Sequence, residues 1–136
     1  MTDLTITAAN VVKGTTAKTT TGIAGTTITA GQTVYRDPAD QKFKLCDADS
    51  ATSAVRTTYG IALNGASANQ PLVVQTEGLI TIGATVASGI VYVQSDTPGG
   101  IMPAADLEAG DFTTVLGIAV SATQIDLKVH VSGASV

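Results

Sequence analysis

Apolar and polar residues alternate along this chain in short runs, and the runs are separated by Gly, Pro, Asn, Asp and Ser. A period of two with β-branched residues marks strands that bury one face, so the pattern predicts an all-β protein. The runs are LTIT (4–7), TVYR (33–36), FKLC (43–46), TTYGIAL (57–63), LVVQT (72–76), LITIG (79–83), IVYVQ (90–94), TTVLGIAV (113–120) and IDLKVHV (125–131). No long window has helical spacing; Ser50 to Arg56 and Pro103 to Ala109 offer one or two helical turns each.

The same pattern returns when the chain is laid on itself at an offset of 117 − 60 = 57 positions. Gly60-Ile61-Ala62 falls on Gly117-Ile118-Ala119, Val34-Tyr35 on Val91-Tyr92, Ala48-Asp49 on Ala105-Asp106, and Thr57 on Thr114. After a turn two residues shorter in the second copy, LVVQTEG from Leu72 meets LKVHVSG from Leu127. The spacing predicts a duplicated β unit, residues 29–78 and 87–133, whose copies fold against each other as a small barrel or sandwich within one domain, 29–136. A glycine in the middle of each GIA strand predicts a bulge or the close approach of another backbone.

Residues 1–28 stand outside the duplication. Their centre, KGTTAKTTT, has almost nothing to bury and predicts an extended N-terminal arm that orders itself on a neighbour rather than on its own domain. Leu4, Ile6, Val11, Val12 and Lys13 are the contact residues expected of such an arm.

Composition narrows the functional classes. Charged residues make up 13% of the chain, mean hydropathy is +0.31, and Thr outnumbers every other residue type. A small monomer normally covers its surface with charge, so part of this surface is expected to be covered by protein. A net charge of −4 with seven scattered basic residues argues against a nucleic-acid partner. MTDLTIT is not the start of a secretory signal, and no run approaches the roughly 20 apolar residues of a membrane span.

Candidate chemistry is sparse. The one histidine, His130, alternates with Leu127, Val129 and Val131 and reads as an outward strand residue. The one cysteine, Cys46, reads as a small buried hydrophobe. DADSATSAVRTT opens like a calcium loop at Asp47 and Asp49 but lacks the glycine and glutamate such a loop needs at its sixth and twelfth positions. Asp37 and Asp40 in YRDPADQK read as turn residues, TPGG at Thr97 lacks the partners of a phosphate loop, and the chain has no Trp. No metal, cofactor or catalytic set is expected, and the chain is not expected to be an enzyme.

DLTITAANV, then ITAGQTVYRDPADQKFKLCDAD, then YGIALNGASANQPLVVQTEGLITIG, and finally IVYVQSDTPGGIMPAADLEAGDFTTVLGIAVSAT together resemble the small capsid decoration proteins of tailed bacteriophages, over nearly the whole chain. The resemblance implies a β domain on the outside of the virion head, commonly a homotrimer, that binds the major capsid protein and cements the shell. The alternative reading is another virion β module, at a head-fibre base or on the tail.

Overall fold

The computed structural model describes residues 3–136. The chain is nearly all β, a curled antiparallel sheet that forms a half-barrel. Its strands are β1 (Val11–Lys13), β2 (Lys18–Ile23), β3 (Thr33–Arg36), β4 (Phe43–Leu45), β5 (Gly60–Ala62), β6 (Pro71–Ile82), β7 (Val91–Gln94), β8 (Ile101–Pro103), β9 (Phe112–Ala119) and β10 (Gln124–Ser135). A single helical turn, α1 (Ser53–Arg56), precedes β5, and Ala104–Asp106 form a 3₁₀ turn after β8.

The main path of the sheet runs β4-β3-β5-β6-β10-β9-β7-β8. With strands matched at the 57-residue offset and its shortened turn, β4, β3, β5 and β6 correspond to β8, β7, β9 and β10, and the path reads the same from both ends.

The long strand β6 organises both halves, because different strands share its edges. Gln75 pairs with Thr19 of β2 and Ile61 of β5, and Ile80 pairs with Lys13 of β1 and Ile125 of β10. Glu77 is flanked by Lys18 and Lys128. Each residue of a strand has one neighbour on each edge. β1 and β2 therefore run along one edge of β6, while β5 and β10 divide the other.

The sequence pattern predicts a break between LVVQT and LITIG, and the structure instead carries one twelve-residue strand through it. Gly78 takes φ +95°, and a side chain there would strike the Thr16 carbonyl. The Gln75 amide nitrogen donates to the carbonyls of Glu77 (3.2 Å), Gly78 (3.1 Å) and Leu79 (2.8 Å). The strand thus bends without ending, stapled by its own side chain.

Two apolar clusters follow from this division. Ala24, Ile28, Val34, Phe43, Ala62, Ala66, Leu72 and Val74 fill the first half. A larger cluster fills the second, with Ile80, Ile82, Tyr92, Ile101, Leu116, Ile125 and Leu127 at its centre. Phe43 is fully buried, meets Tyr59 edge to face at 5.2 Å, and lies where a side chain on Gly22 would be. Burying a side chain of this kind contributes about 2 kcal/mol.

Residues 3–28 are not a detached arm. β1 and β2 pair with β6, Ala24 bridges Phe43, Ala24 and Ile28 are buried, and Gly25 N–H donates to the Phe43 carbonyl at 2.7 Å. Leu4 N–H donates to the Ile101 carbonyl at 2.8 Å and Thr7 N–H to that of Gly83 at 2.8 Å, which ties the segment to the far end of the second half. The arm expectation rested on the lack of large apolar side chains in KGTTAKTTT, but a strand is held through its backbone, and Thr suits a half-exposed edge. Residues 3–28 close both halves.

Candidate functional site

The five residues expected to contact a capsid divide by face. Leu4 and Ile6 pack partly buried against the second cluster, and Val11 is 8% exposed within it. A side chain on Gly31 would meet Ile6 at 2.5 Å and Val11 at 3.1 Å, so the backbone turn at Gly31 lies directly against these two. Val12, at 55%, and Lys13 are both exposed. Leu4, Ile6 and Val11 are therefore occupied inside the domain, and the period of two along β1 leaves Val12 to face solvent.

The glycines of the two GIA strands do what a mid-strand glycine predicts. A side chain on Gly60 would overlap the carbonyl oxygen of Gln75, and one on Gly117 would overlap that of Asp126. Their neighbours differ: Ile61 and Ala62 are buried, as is Ala119, whereas Ile118 is 48% exposed. Ile61 pairs with Gln75 at the bend of β6, where both strand faces are covered. Ile118 pairs with the exposed Asp126 on an outward face.

That outward face carries exposed apolar residues, Ile118 and Val120 among them. Register places Thr81 between Val12 and Gln124, and Leu79 beside Asp126, which is itself beside Ile118 and then Val91. Ile118 and Val120 are 48% and 49% exposed at the β9 side of this face, and Ile90, 43% exposed, precedes β7 and accepts the Ala119 N–H through its carbonyl. A groove of about 370 Å³ runs between β9 and β10, lined by Val115, Gly117, Ile118, Val120, Asp126 and Lys128. Across β10 a second groove of about 470 Å³ lies over Leu79 and Gly78. Nothing in the alternation pattern marks Ile118 and Ile90 as exposed, because both sit in runs that read as core.

A second feature joins the two halves. Asp49, Asp96 and Asp111 place carboxylate oxygens within 4.8 Å of one another, and Asp111 is buried. Sequence reading considered Asp47 and Asp49 alone; the partners come from the turn after β7 and the start of β9, which linear spacing does not reveal. Burial, the neighbouring Asp49 and, more weakly, Asp96 push the Asp47 carboxyl up to about 6. Burial and the surrounding acids, Asp111 first, raise Asp96 as well. The nearby Arg56 is turned away, with its guanidinium 3.5 Å from the centre of the Phe112 ring and donating to the Ser50 carbonyl. All the donors are oxygens, the type that hard divalent cations take.

The remaining candidates lie apart from any shared site. His130 is exposed on β10, opposite Val115. Cys46 is fully buried beside Thr33 and Thr58, and burial pushes its thiol up to about 12, which removes the thiolate that reactivity requires. Asp37 and Asp40 hold their turn by accepting the N–H groups of Ala39 and Lys42, and Lys44 sits 2.7 Å from Asp37 and 3.3 Å from Asp40. Among the described residues no helix is long and apolar enough to cross a membrane. Comparison with protein-family models, with curated proteins and with solved structures finds no match to this chain.

Proposed function

We propose that this chain is a structural protein of a bacteriophage virion, a homotrimer that binds the outer surface of the head through the major capsid protein and stabilises the shell. The observation that carries the reading is the exposed apolar face around Ile118 and Val120 on a chain with few charges. It is supported by the resemblance of the sequence to capsid decoration proteins and by the separation of His130 and Cys46 from any catalytic arrangement.

Binding of this kind draws on apolar area removed from water, about 25 cal/mol per Å² before association costs. A trimer presents three copies of the face, and after the first contact the other two become intramolecular. Modest individual contacts then suffice. Val12, beside Thr81 on the same sheet face, belongs to this surface, while Leu4 and Ile6 support it from within.

The test compares purified heads with and without the protein. Heads lacking it should assemble but release DNA at a lower temperature, and Ile118→Asp should abolish binding to such heads while leaving the melting temperature of the free protein within a few degrees. Equal DNA retention with and without the protein would overturn the reading.

A further inference from the structure

Asn64 and Gly65 lie in the loop between β5 and β6, and neither takes the positive φ for which an Asn-Gly pair usually serves in a tight hairpin. Space does not call for the glycine either. Gly65 is exposed, and a side chain there would approach only the Ile28 carbonyl oxygen, at an ordinary 3.7 Å. The fold therefore has room for alanine at this position, unlike at Gly60 and Gly117. The Gly65 N–H also has no hydrogen-bond partner among the described residues.

The Asn64 side chain, in contrast, is held on three sides. Its amide oxygen accepts the Val73 N–H at 2.7 Å, and its amide nitrogen donates to the carbonyls of Gly65 (3.0 Å) and Pro71 (3.3 Å). The Val73 N–H draws electron density from the side-chain carbonyl, as a donor in an oxyanion hole does, and opens Asn64 Cγ to attack. The Gly65 nitrogen, bonded to the same residue and free of other partners, is the nucleophile such a carbonyl needs. Because the two are tethered, ring closure is intramolecular and carries no cost of bringing reactants together.

We propose that Asn64-Gly65 is a self-modification site, at which the folded chain deamidates with water as the only co-reactant. The Gly65 nitrogen gives its proton to solvent base and attacks Asn64 Cγ. The bond from Cγ to Nδ2 breaks, the amide nitrogen takes up a proton and leaves as ammonia, and a succinimide remains in the backbone. Water then opens the ring at Cγ to give aspartate, or at the main-chain carbonyl to give isoaspartate. Aspartate still accepts the Val73 N–H, but it loses both donated bonds and sets a carboxylate against the Gly65 and Pro71 carbonyls. Isoaspartate also lengthens the main chain by one carbon. The next residue, Ala66, exchanges two backbone bonds of 2.9 Å with Ile28, which is buried in the first cluster. Deamidation is irreversible and thus ages the clasp that ties the N-terminal segment to the β5–β6 loop.

The test is peptide mass spectrometry on the parent protein kept folded in mildly alkaline buffer. Asn64 should convert to a form one mass unit heavier, part of it isoaspartate, while Asn10 and Asn69, followed by Val11 and Gln70, stay intact. Gly65→Ala should lose most of that conversion and keep the parent melting temperature, because its β-carbon has room. Asn64→Asp, which carries the product in every molecule, should melt below the parent and exchange the Ile28 and Ala66 amide protons faster. An Asn64 that stays intact in the folded chain, converted only in urea or not at all, would overturn the proposal, and so would Gly65→Ala chains that convert at the parent rate. Asn64→Asp chains with parent melting and parent exchange would overturn the ageing of the clasp.

Discussion

The side-chain amide of Gln75 lies 2.8 Å from the carbonyl of Leu79, four residues further along the same strand, and spans the bend by which β6 passes from one half of the sheet to the other. Gln75 is fully buried, and its nitrogen also serves the carbonyls of Glu77 and Gly78. Gln75→Leu should keep the volume but leave those carbonyls without their donor, lowering stability by about 1–3 kcal/mol. Urea unfolding measures this, and an unchanged midpoint would show that the bend does not need its staple.

Gly60 and Gly117 each sit against a carbonyl of the adjoining strand, so neither can take a β-carbon without displacing backbone. Gly60→Val and Gly117→Val should each cost roughly 1–3 kcal/mol or more. Gly110, where a side chain would meet nothing within 4 Å, is the matched control for added bulk, although its φ of +96° calls for Asn rather than Val there. Parent-like melting of both GIA variants would refute the close approach.

The acidic cluster predicts a pH dependence of a particular sign. Burial raises the folded-state carboxyl of Asp47 from 3.8 to about 6, so between those values the folded chain holds a proton that the unfolded chain has released. Stability should therefore fall as pH rises through this window and level off above it. Asp37 and Asp40, lowered mainly by Lys44 and the Lys42 N–H respectively, act in the opposite sense, but they are exposed and their effect is small. Asp96→Asn should raise the melting temperature at pH 7 more than at pH 4 and flatten the profile. A variant less stable than the parent at pH 7 would overturn this account.

Deleting residues 3–22 should abolish folding, because the cut removes β1 and nearly all of β2 and uncovers both apolar clusters. Loss of the sharp thermal transition is the readout; a truncated chain that melts like the parent would restore the reading of this segment as a separate arm.

Cys46 should resist alkylation in the folded protein and react once the chain unfolds, since its thiol is buried and its pKa is pushed up to about 12. Labelling with a maleimide across a urea series should follow the loss of β structure. Rapid labelling in buffer alone would show local opening around Thr33 and Thr58.

The strands that bury a face were legible in the alternation, and TVYR, FKLC and IVYVQ fall on β3, β4 and β7 almost residue for residue. β2 was missed because KTTTGI has few apolar side chains to alternate and is held by backbone pairing with β6. β8 was missed because Ile101-Met102-Pro103 is too short to show a period. The outward exposure of Ile118 was hidden for a different reason. Its repeat partner Ile61 is buried, and which face of a repeated strand meets solvent depends on the strand laid beside it. The acidic cluster escaped notice because Asp49 and Asp111 are brought together by the fold, with the Phe112 N–H donating to the Ala48 carbonyl between them.

The hydrogen bond from Leu4 to Ile101 joins residues 101 − 4 = 97 positions apart, and the same N-terminal segment pairs with β6 midway. On a ribosome, Leu4 can complete its contact with the second unit only after Ile101 has been made. Until then Val11 and Ile82 lack the rest of the cluster that covers them, and contacts of such long sequence separation form slowly. The first cluster, drawn wholly from residues 24–74, can close early, whereas the second has to wait for β9 and β10. The nascent chain therefore carries Val11 and Ile82 uncovered until late in synthesis, and the second half should gain protection against hydrogen exchange after the first.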